Sequence, residues 1–305
     1  MLNRLKRLVV LALIACSISL LLICVALGES ATTIYPGLRY PTPTELAAGI
    51  AESTGGSWRA VTINSFDGTP LAAWAFLPDK SRANGKAVIA LHGLGDTRRG
   101  VLGHARMLMR HGYAVLTPDS RGHGISGGEF ITYGLLERND THAWVDWMDA
   151  NLHPTAIYAL GESMGAAIIL QSLPIERRIR AAVAEAAFNT FEEIAYDRMA
   201  LVGLDKFIYW PMLEPAFLYS RARRGENLKL ASPNEAIRQS TTPVLLICGT
   251  ADRNIPARHS EALHRAAPNS SELWLIQGAD HTLGFSQSPA DFESSPDLLE
   301  RAIVI

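Results

Sequence analysis

Gly161-Glu162-Ser163-Met164-Gly165 stands between a β-rich run, Thr155–Leu160, and an apolar helical run that continues through Ala166-Ala167-Ile168-Ile169. A serine between glycines at this spacing, after a strand and before a helix, is a sharp elbow that lifts its hydroxyl clear of a sheet edge. The glycines let the backbone turn tightly and approach its neighbours. The helix behind directs its positive dipole end and free N–H groups toward negative charge developing at Ser163. Ser163 is therefore the candidate nucleophile, and Glu162 should point away from it if the chain turns in this way.

A serine hydroxyl needs a base to take its proton and a carboxylate to orient that base. Of nine histidines, His281 stands out, because Gly278-Ala279-Asp280-His281-Thr282 follows the strand candidate Glu272–Ile276. Its loop should lie on the same carboxyl edge of the sheet as Ser163. Asp252 follows the strand candidate Pro243–Cys248 and is the candidate acid. The order is serine, aspartate, histidine, unlike that of the chymotrypsin or subtilisin types. Asp280 adjoins His281 and reads as a loop brace, while His259 and His264 fall on a helix and read as surface residues.

Acyl chemistry also requires two N–H donors where the oxyanion develops. Met164 supplies one, as the residue after the nucleophile. Leu94 is the candidate for the other, in the post-strand loop His92-Gly93-Leu94-Gly95. His92 reads as a hydrogen-bonding residue internal to that loop. Arg121 and His123, in the glycine-rich stretch Asp119–Gly128, read as bracing their own loop.

Working outward, Trp58–Asn64 and Pro70–Leu77 flank the turn Asp67-Gly68 and predict an antiparallel pair. Further strand candidates are Ala87–Leu91, Tyr113–Thr117 and Arg180–Ala186. Continuous apolar runs suit strands buried on both faces of a parallel sheet. Helical patterns at 99–111, 136–150, 164–173 and 257–267 alternate with them, which predicts an α/β fold with helices on both faces. The interval 188–242 is too long for a simple crossover and predicts a helical cap over the carboxyl edge. Within it, the aromatic-rich run Lys206–Leu213 fits either a wall for an apolar substrate or packing of cap on body.

Arg4, Lys6 and Arg7 precede an uncharged run over residues 8–27. Twenty helical residues span roughly 30 Å, the thickness of a bilayer's hydrocarbon core, and basic flanks favour the cytoplasmic side. Residues 1–28 read as a signal anchor, with the rest of the chain on the periplasmic or extracellular side. Two other readings stay open: a signal peptide cleaved at Ala26-Leu27-Gly28, which would leave a secreted protein, and a lipoprotein box at Leu13–Cys16. Residues 29–57, with Pro36, Pro41 and Pro43, read as a spacer holding one short helix at Glu45–Ala51, and 58–305 as the catalytic unit.

Hydrophobic residues make up 48% of the 305, enough for a sizeable core, which excludes a disordered chain. A formal net charge of −2 gives no basic field for nucleic acid. Cys16, Cys24 and Cys248 form no legible disulfide framework.

With these pieces in place, the chain resembles the α/β-hydrolase superfamily, and within it the serine aminopeptidase-like and monoacylglycerol lipase-like branch. The resemblance rests on His92–Gly95, Arg121-Gly122-His123-Gly124-Ile125-Ser126, Gly161–Gly165 and the loops of Asp252 and His281, across about Val61–Phe285. It implies a mostly parallel sheet of about eight strands, a triad of Ser163, Asp252 and His281, and an oxyanion hole of Leu94 and Met164. It further implies a small-molecule ester substrate and neither metal nor organic cofactor, while the apolar cap points to an apolar acyl group. The same machinery serves amide hydrolysis and acyl transfer, and the fold also occurs in binding proteins with little turnover. Two features depart from the pattern: the elbow is not the Gly-Gly-Ser-Trp-Gly of proline iminopeptidases, and Ser294-Ser295-Pro296 interrupts the expected last helix.

Overall fold

Strands with apolar residues at both odd and even positions must be covered on both faces, and the central sheet is built that way. A computed structural model describes residues 2–34, 37, 39–201, 203 and 205–287. The strands are β1 (Ser57–Asn64), β2 (Pro70–Leu77), β3 (Lys86–Leu91), β4 (Ala114–Pro118), β5 (Ala156–Glu162), β6 (Ile179–Glu185), β7 (Val244–Gly249) and β8 (Ser271–Ile276). They form one sheet in the order β1-β2-β4-β3-β5-β6-β7-β8. Only the β1–β2 and β2–β4 pairings are antiparallel. From β4 to β8 every pairing is parallel. This is the α/β-hydrolase arrangement that the resemblance implies.

The helices are α1 (Leu2–Thr32), α2 (Thr44–Thr54), α3 (Leu102–Arg110), α4 (Glu137–Leu152), α5 (Met164–Ser172), α6 (Phe191–Leu201), α7 (Lys206–Arg224), α8 (Pro233–Arg238), α9 (Arg258–Ala266) and α10 (Gly284–Gln287). Alternation within β3 divides the core. Ala87, Ile89 and Leu91 face a layer that includes Trp144 of α4, Ile169 of α5, Ile237 of α8 and Leu263 of α9. Val88 and Ala90 face Ile50 of α2 together with Ala105 and Leu108 of α3. Each large side chain so buried contributes about 1.5–3 kcal/mol, which fixes strand register against slippage.

The stretch read as a spacer is packed rather than free. Ala47, Ile50, Ala51 and Thr54 bury one face of α2, at the i, i+3, i+4, i+7 spacing of an amphipathic helix. Upstream of it, the hydroxyls of Thr42 and Thr97 lie 2.9 Å apart in a buried contact. Helix α1 also runs past residue 28 to Thr32, and Thr33 then makes a β-bridge with Phe130.

The long insertion is helical, as expected. Helices α6 and α7 share a cluster of their own, with Phe191, Ile194, Tyr209, Leu213 and Phe217 buried in it. Helix α8, by contrast, belongs to the body, where Ile237 joins the core layer beneath α5. The segment carrying Ser294-Ser295-Pro296 lies outside the described residues.

Candidate active site

Strand β5 ends at Glu162 and α5 begins at Met164, so the whole reversal falls on Ser163, with φ 52° and ψ −114°. Positive φ at a non-glycine residue costs on the order of 1–3 kcal/mol and persists only where the surroundings enforce it. Two constraints do so here. The Ser163 N–H donates to the Glu185 carbonyl at 2.8 Å, and a Cβ at Gly165 would collide with the Leu91 carbonyl of β3. Parallel packing of β3, β5 and β6 therefore holds the hydroxyl above the sheet edge.

Asp252 lies in the turn after β7. Its Oδ1 accepts the N–H groups of Asn254 and Ile255 at 2.8 and 2.9 Å, which leaves Oδ2 for His281 Nδ1 at 2.7 Å. The other ring nitrogen, Nε2, is 3.0 Å from Ser163 Oγ. The structure thus brings the three candidate residues into one hydrogen-bonded line. The Asp252 side chain is wholly buried, whereas that of His281 keeps 17% of its exposure. With Asp252 ionised, Nδ1 carries the imidazole proton and Nε2 is left to accept from the serine.

Leu94 and Met164 line the same cavity as Ser163. His92 is fully buried: Nδ1–H donates to the Gly93 carbonyl at 2.8 Å, and Nε2 accepts the Ser120 N–H at 3.0 Å. Burial lowers its pKa to about 4, so it stays neutral and structural. Arg121 and His123 brace their loop as expected. Arg121 reaches Asp140 at 2.5 and 2.7 Å and Asp67 at 2.9 Å, and His123 contacts the Arg121 carbonyl at 3.1 Å. Asp280 accepts the backbone N–H of His281 at 2.8 Å, which also matches expectation.

His259 departs from its surface reading. It is fully buried, with Nε2 2.7 Å from Asp197 of the cap and Nδ1 2.6 Å from Asn189. His259 and Leu263 are four residues apart on the buried face of α9, a spacing the sequence already displayed.

Sequence reading also missed Glu185. Its Oε1 accepts the Gly284 N–H at 2.9 Å and so ties the end of β6 to the loop carrying His281. Glu162 turns away from Ser163, as the elbow predicts, and meets His104 at 3.3 Å. Ligand-capable atoms of His104, Glu162 and Glu185 lie within 4.8 Å of one another, so this trio is a group that could hold a metal ion. None of its members lines the cavity. Burial pushes the Glu185 carboxyl up to about 7, raises Glu162 well above the usual carboxylate range, and lowers His104 to about 4. All three shifts favour the neutral forms, so the trio carries far less charge than its composition suggests.

The cavity above Ser163 has a volume of about 430 Å³, within the usual range for small-molecule pockets. Its walls are largely apolar. Phe188 and Phe191 come from the start of the cap, Leu213 and Phe217 from α7, and Leu27 and Ala31 from α1. The aromatic-rich run of α7 therefore divides by side. Tyr209 and Leu213 turn inward, and only Leu213 of the two reaches the cavity; Phe207, Ile208 and Trp210 stay exposed.

This sheet order and elbow define an α/β hydrolase, and the chain belongs to the Alpha/beta hydrolase family, whose profile matches residues 88–294. It is 26% identical over 205 residues to the uncharacterized protein YqkD of Bacillus subtilis, covering 66% of each chain. It is 28% identical over 240 residues to the uncharacterized protein YfhR of Escherichia coli K12, covering 77% of each. Among solved structures it resembles the Pyrococcus furiosus esterase Pf2001, with TM-score 0.66 and 24% identity over 82% of this chain and 95% of that one. It also resembles Est1E from Butyrivibrio proteoclasticus, with TM-score 0.61 and 20% identity over 81% of this chain and 99% of that one. Those structural likenesses are of fold. The matches support the family as a whole and do not carry the finer resemblance to the aminopeptidase-like and lipase-like branch.

Proposed function

We propose that the protein is a membrane-tethered serine hydrolase that cleaves carboxylic esters through an acyl-enzyme on Ser163. The observation that carries this reading is the line from Asp252 through His281 to Ser163, with separations of 2.7 and 3.0 Å. Ser163 Oγ attacks the ester carbonyl and passes its proton to His281 Nε2, while Asp252 holds the Nδ1–H and stabilises the imidazolium. The N–H groups of Leu94 and Met164 stabilise the oxyanion. Collapse breaks the bond to the leaving alkoxide, which departs as the alcohol with the proton from His281. Water, deprotonated by the same histidine, then attacks the acyl-serine and releases the acid and free Ser163.

The tether is α1. It is long and apolar enough to cross a membrane, and Leu8–Ile14 and Leu20–Ile23 are exposed along it. Arg4, Lys6 and Arg7 favour a cytoplasmic start and a catalytic unit on the other side. Contacts favour retention over cleavage after Gly28. Ser220 donates to the Gly28 carbonyl at 3.3 Å, and Leu27 and Gly28 line the cavity, contacts that a cleaved segment would forfeit. The known likeness to an esterase fold agrees with ester chemistry but does not choose the acyl group.

Fluorophosphonate labelling of the full chain with adduct mapping tests the reading. One adduct on Ser163, lost in Ser163→Ala together with ester turnover, is expected. A folded wild-type protein that takes no adduct and turns over no ester overturns it.

A further inference from the structure

We infer that the last turns of the membrane-spanning helix form one wall of the acyl site, so that the substrate is an ester resident in the bilayer. The inference rests on the serine-hydrolase reading and adds where the acyl chain comes from. Three observations carry it.

Leu27, Gly28, Ser30 and Ala31 of α1 line the cavity that contains Ser163. Leu27 is also the last apolar side chain before Glu29, the first charge after Arg7. The bilayer surface therefore falls at the level of the cavity wall, since Leu27 and Ala31 are only about 6 Å apart along the axis. A soluble ester would need no such arrangement.

The wall is built rather than incidental. A Cβ at Gly28 would lie 2.8 Å from Tyr219 and 2.9 Å from the Ala216 carbonyl, so glycine is what lets the two helices close up. Tyr133, which also lines the cavity, donates its hydroxyl to the Ala31 carbonyl at 2.7 Å and joins the wall to the body.

Direction supplies the third observation. Gly28 meets Ala216 and Ser220, and Glu29 and Thr32 meet Arg224, so α1 and α7 run the same way where they touch. The first half of α7 therefore extends back toward the membrane-spanning part of α1. That half presents Phe207 at 81%, Trp210 at 60% and Ile208 at 49% exposure. Aromatic and aliphatic side chains so placed suit contact with the apolar part of the bilayer. The occupant of this face is the lipid surface, and the cavity takes an acyl chain directly from it.

The test uses the full chain in phosphatidylcholine vesicles with two esters sharing one leaving group: umbelliferyl oleate in the bilayer and umbelliferyl acetate in solution. Ala31→Trp, which fills the wall, should lower the oleate-to-acetate rate ratio about tenfold, the loss expected when an acyl chain can no longer be buried. Phe207→Ser with Trp210→Ser should lower vesicle oleate turnover about tenfold and leave acetate turnover unchanged, through lost interfacial contact. Oleate presented in detergent micelles should not show that second loss. An unmoved ratio in Ala31→Trp, or undiminished vesicle turnover in the double variant, overturns the inference while leaving the serine-hydrolase reading intact. Absence of acetate turnover in the wild type, with Ser163 unlabelled, overturns that reading itself.

Discussion

The two sides of the cavity are held by different kinds of interaction. On the body side, Ser163, Asp252 and His281 each sit in a short loop just beyond a parallel strand, and their positions follow from local backbone geometry. On the other side, α1, α6 and α7 meet through side chains far apart in sequence, such as Glu29 with Tyr219 and Arg224. The body places a hydroxyl to within a hydrogen bond, as proton transfer demands. The opposite wall need only exclude water and accept a chain, so it can be assembled from apolar contact and one ion-paired clasp. Changes on the body side should therefore cost rate, and changes on the wall should cost stability or selectivity.

The largest effect should come from the body. Asp252→Asn keeps the size of the side chain but offers no charge to the imidazole. Turnover of a soluble ester should fall by about 10³–10⁴-fold, as expected when a triad carboxylate is neutralised. Steady-state kinetics at a saturating ester concentration measures it. A near-wild-type rate would place the orienting acid elsewhere.

Glu185 tests the same side through pH. Burial lifts its carboxyl to about 7 in the native protein, against an ordinary value of about 4.3 when unfolded. Between those values the native state holds a proton that the unfolded chain has lost. This stability is therefore fully present below about pH 4.3 and is lost as pH rises through 7, by about 4 kcal/mol in total. The charges and titratable groups around it are Glu162, His104, Asp252 and His281. Glu185→Gln keeps an acceptor for the Gly284 N–H and cannot ionise. Its melting temperature relative to wild type should rise from pH 5 to pH 8. A difference that does not change with pH would mean that Glu185 titrates as an exposed carboxylate does.

Legibility in the sequence followed the same division. The elbow, the Asp252 loop and the His281 loop could be read because each follows an apolar run and is confined to a few residues. The short helix read at Glu45–Ala51 is α2, but the prolines at 36, 41 and 43 drew the stretch around it toward a spacer, although the spacing of Ala47, Ile50, Ala51 and Thr54 already marks a buried face. Glu185 was concealed inside an apolar strand, where its partner, the Gly284 amide, lies 99 residues away. No local pattern announces that Glu29 meets Tyr219, 190 residues on, because side-chain complementarity between distant helices leaves no periodic trace. The span over residues 8–27 was visible as an apolar helix, but its part in the cavity was not.

On the wall side, Gly28→Val places a branched side chain where the helices touch. Overpacking of this kind costs about 1–3 kcal/mol. Helix α1 should separate from α7, and the oleate-to-acetate ratio should fall further than acetate turnover does. Equal losses on both esters would mean that the disturbance had reached the elbow, and the division between the two sides would fail.

The smallest effect belongs to the clasp. Glu29 pairs with Arg224 at 2.8 Å and accepts the Tyr219 hydroxyl at 2.7 Å, but a third of its side chain remains in solvent. Water screening limits such a partly exposed pair to roughly 0–1 kcal/mol, and the hydrogen bond adds about 1 kcal/mol. Glu29→Gln removes the charge while leaving an amide oxygen to accept from Tyr219, so about 1 kcal/mol or less should be lost. Added salt should narrow the gap to wild type, because screening weakens the ion pair and not the neutral hydrogen bond. Tyr219→Phe supplies the converse, a loss that salt leaves unchanged. Thermal unfolding of both variants at low and high ionic strength separates the two contributions. If the Glu29→Gln loss is as large in high salt as in low, the clasp works by hydrogen bonding alone, and the Glu29 charge has no part in holding α1 against the cap.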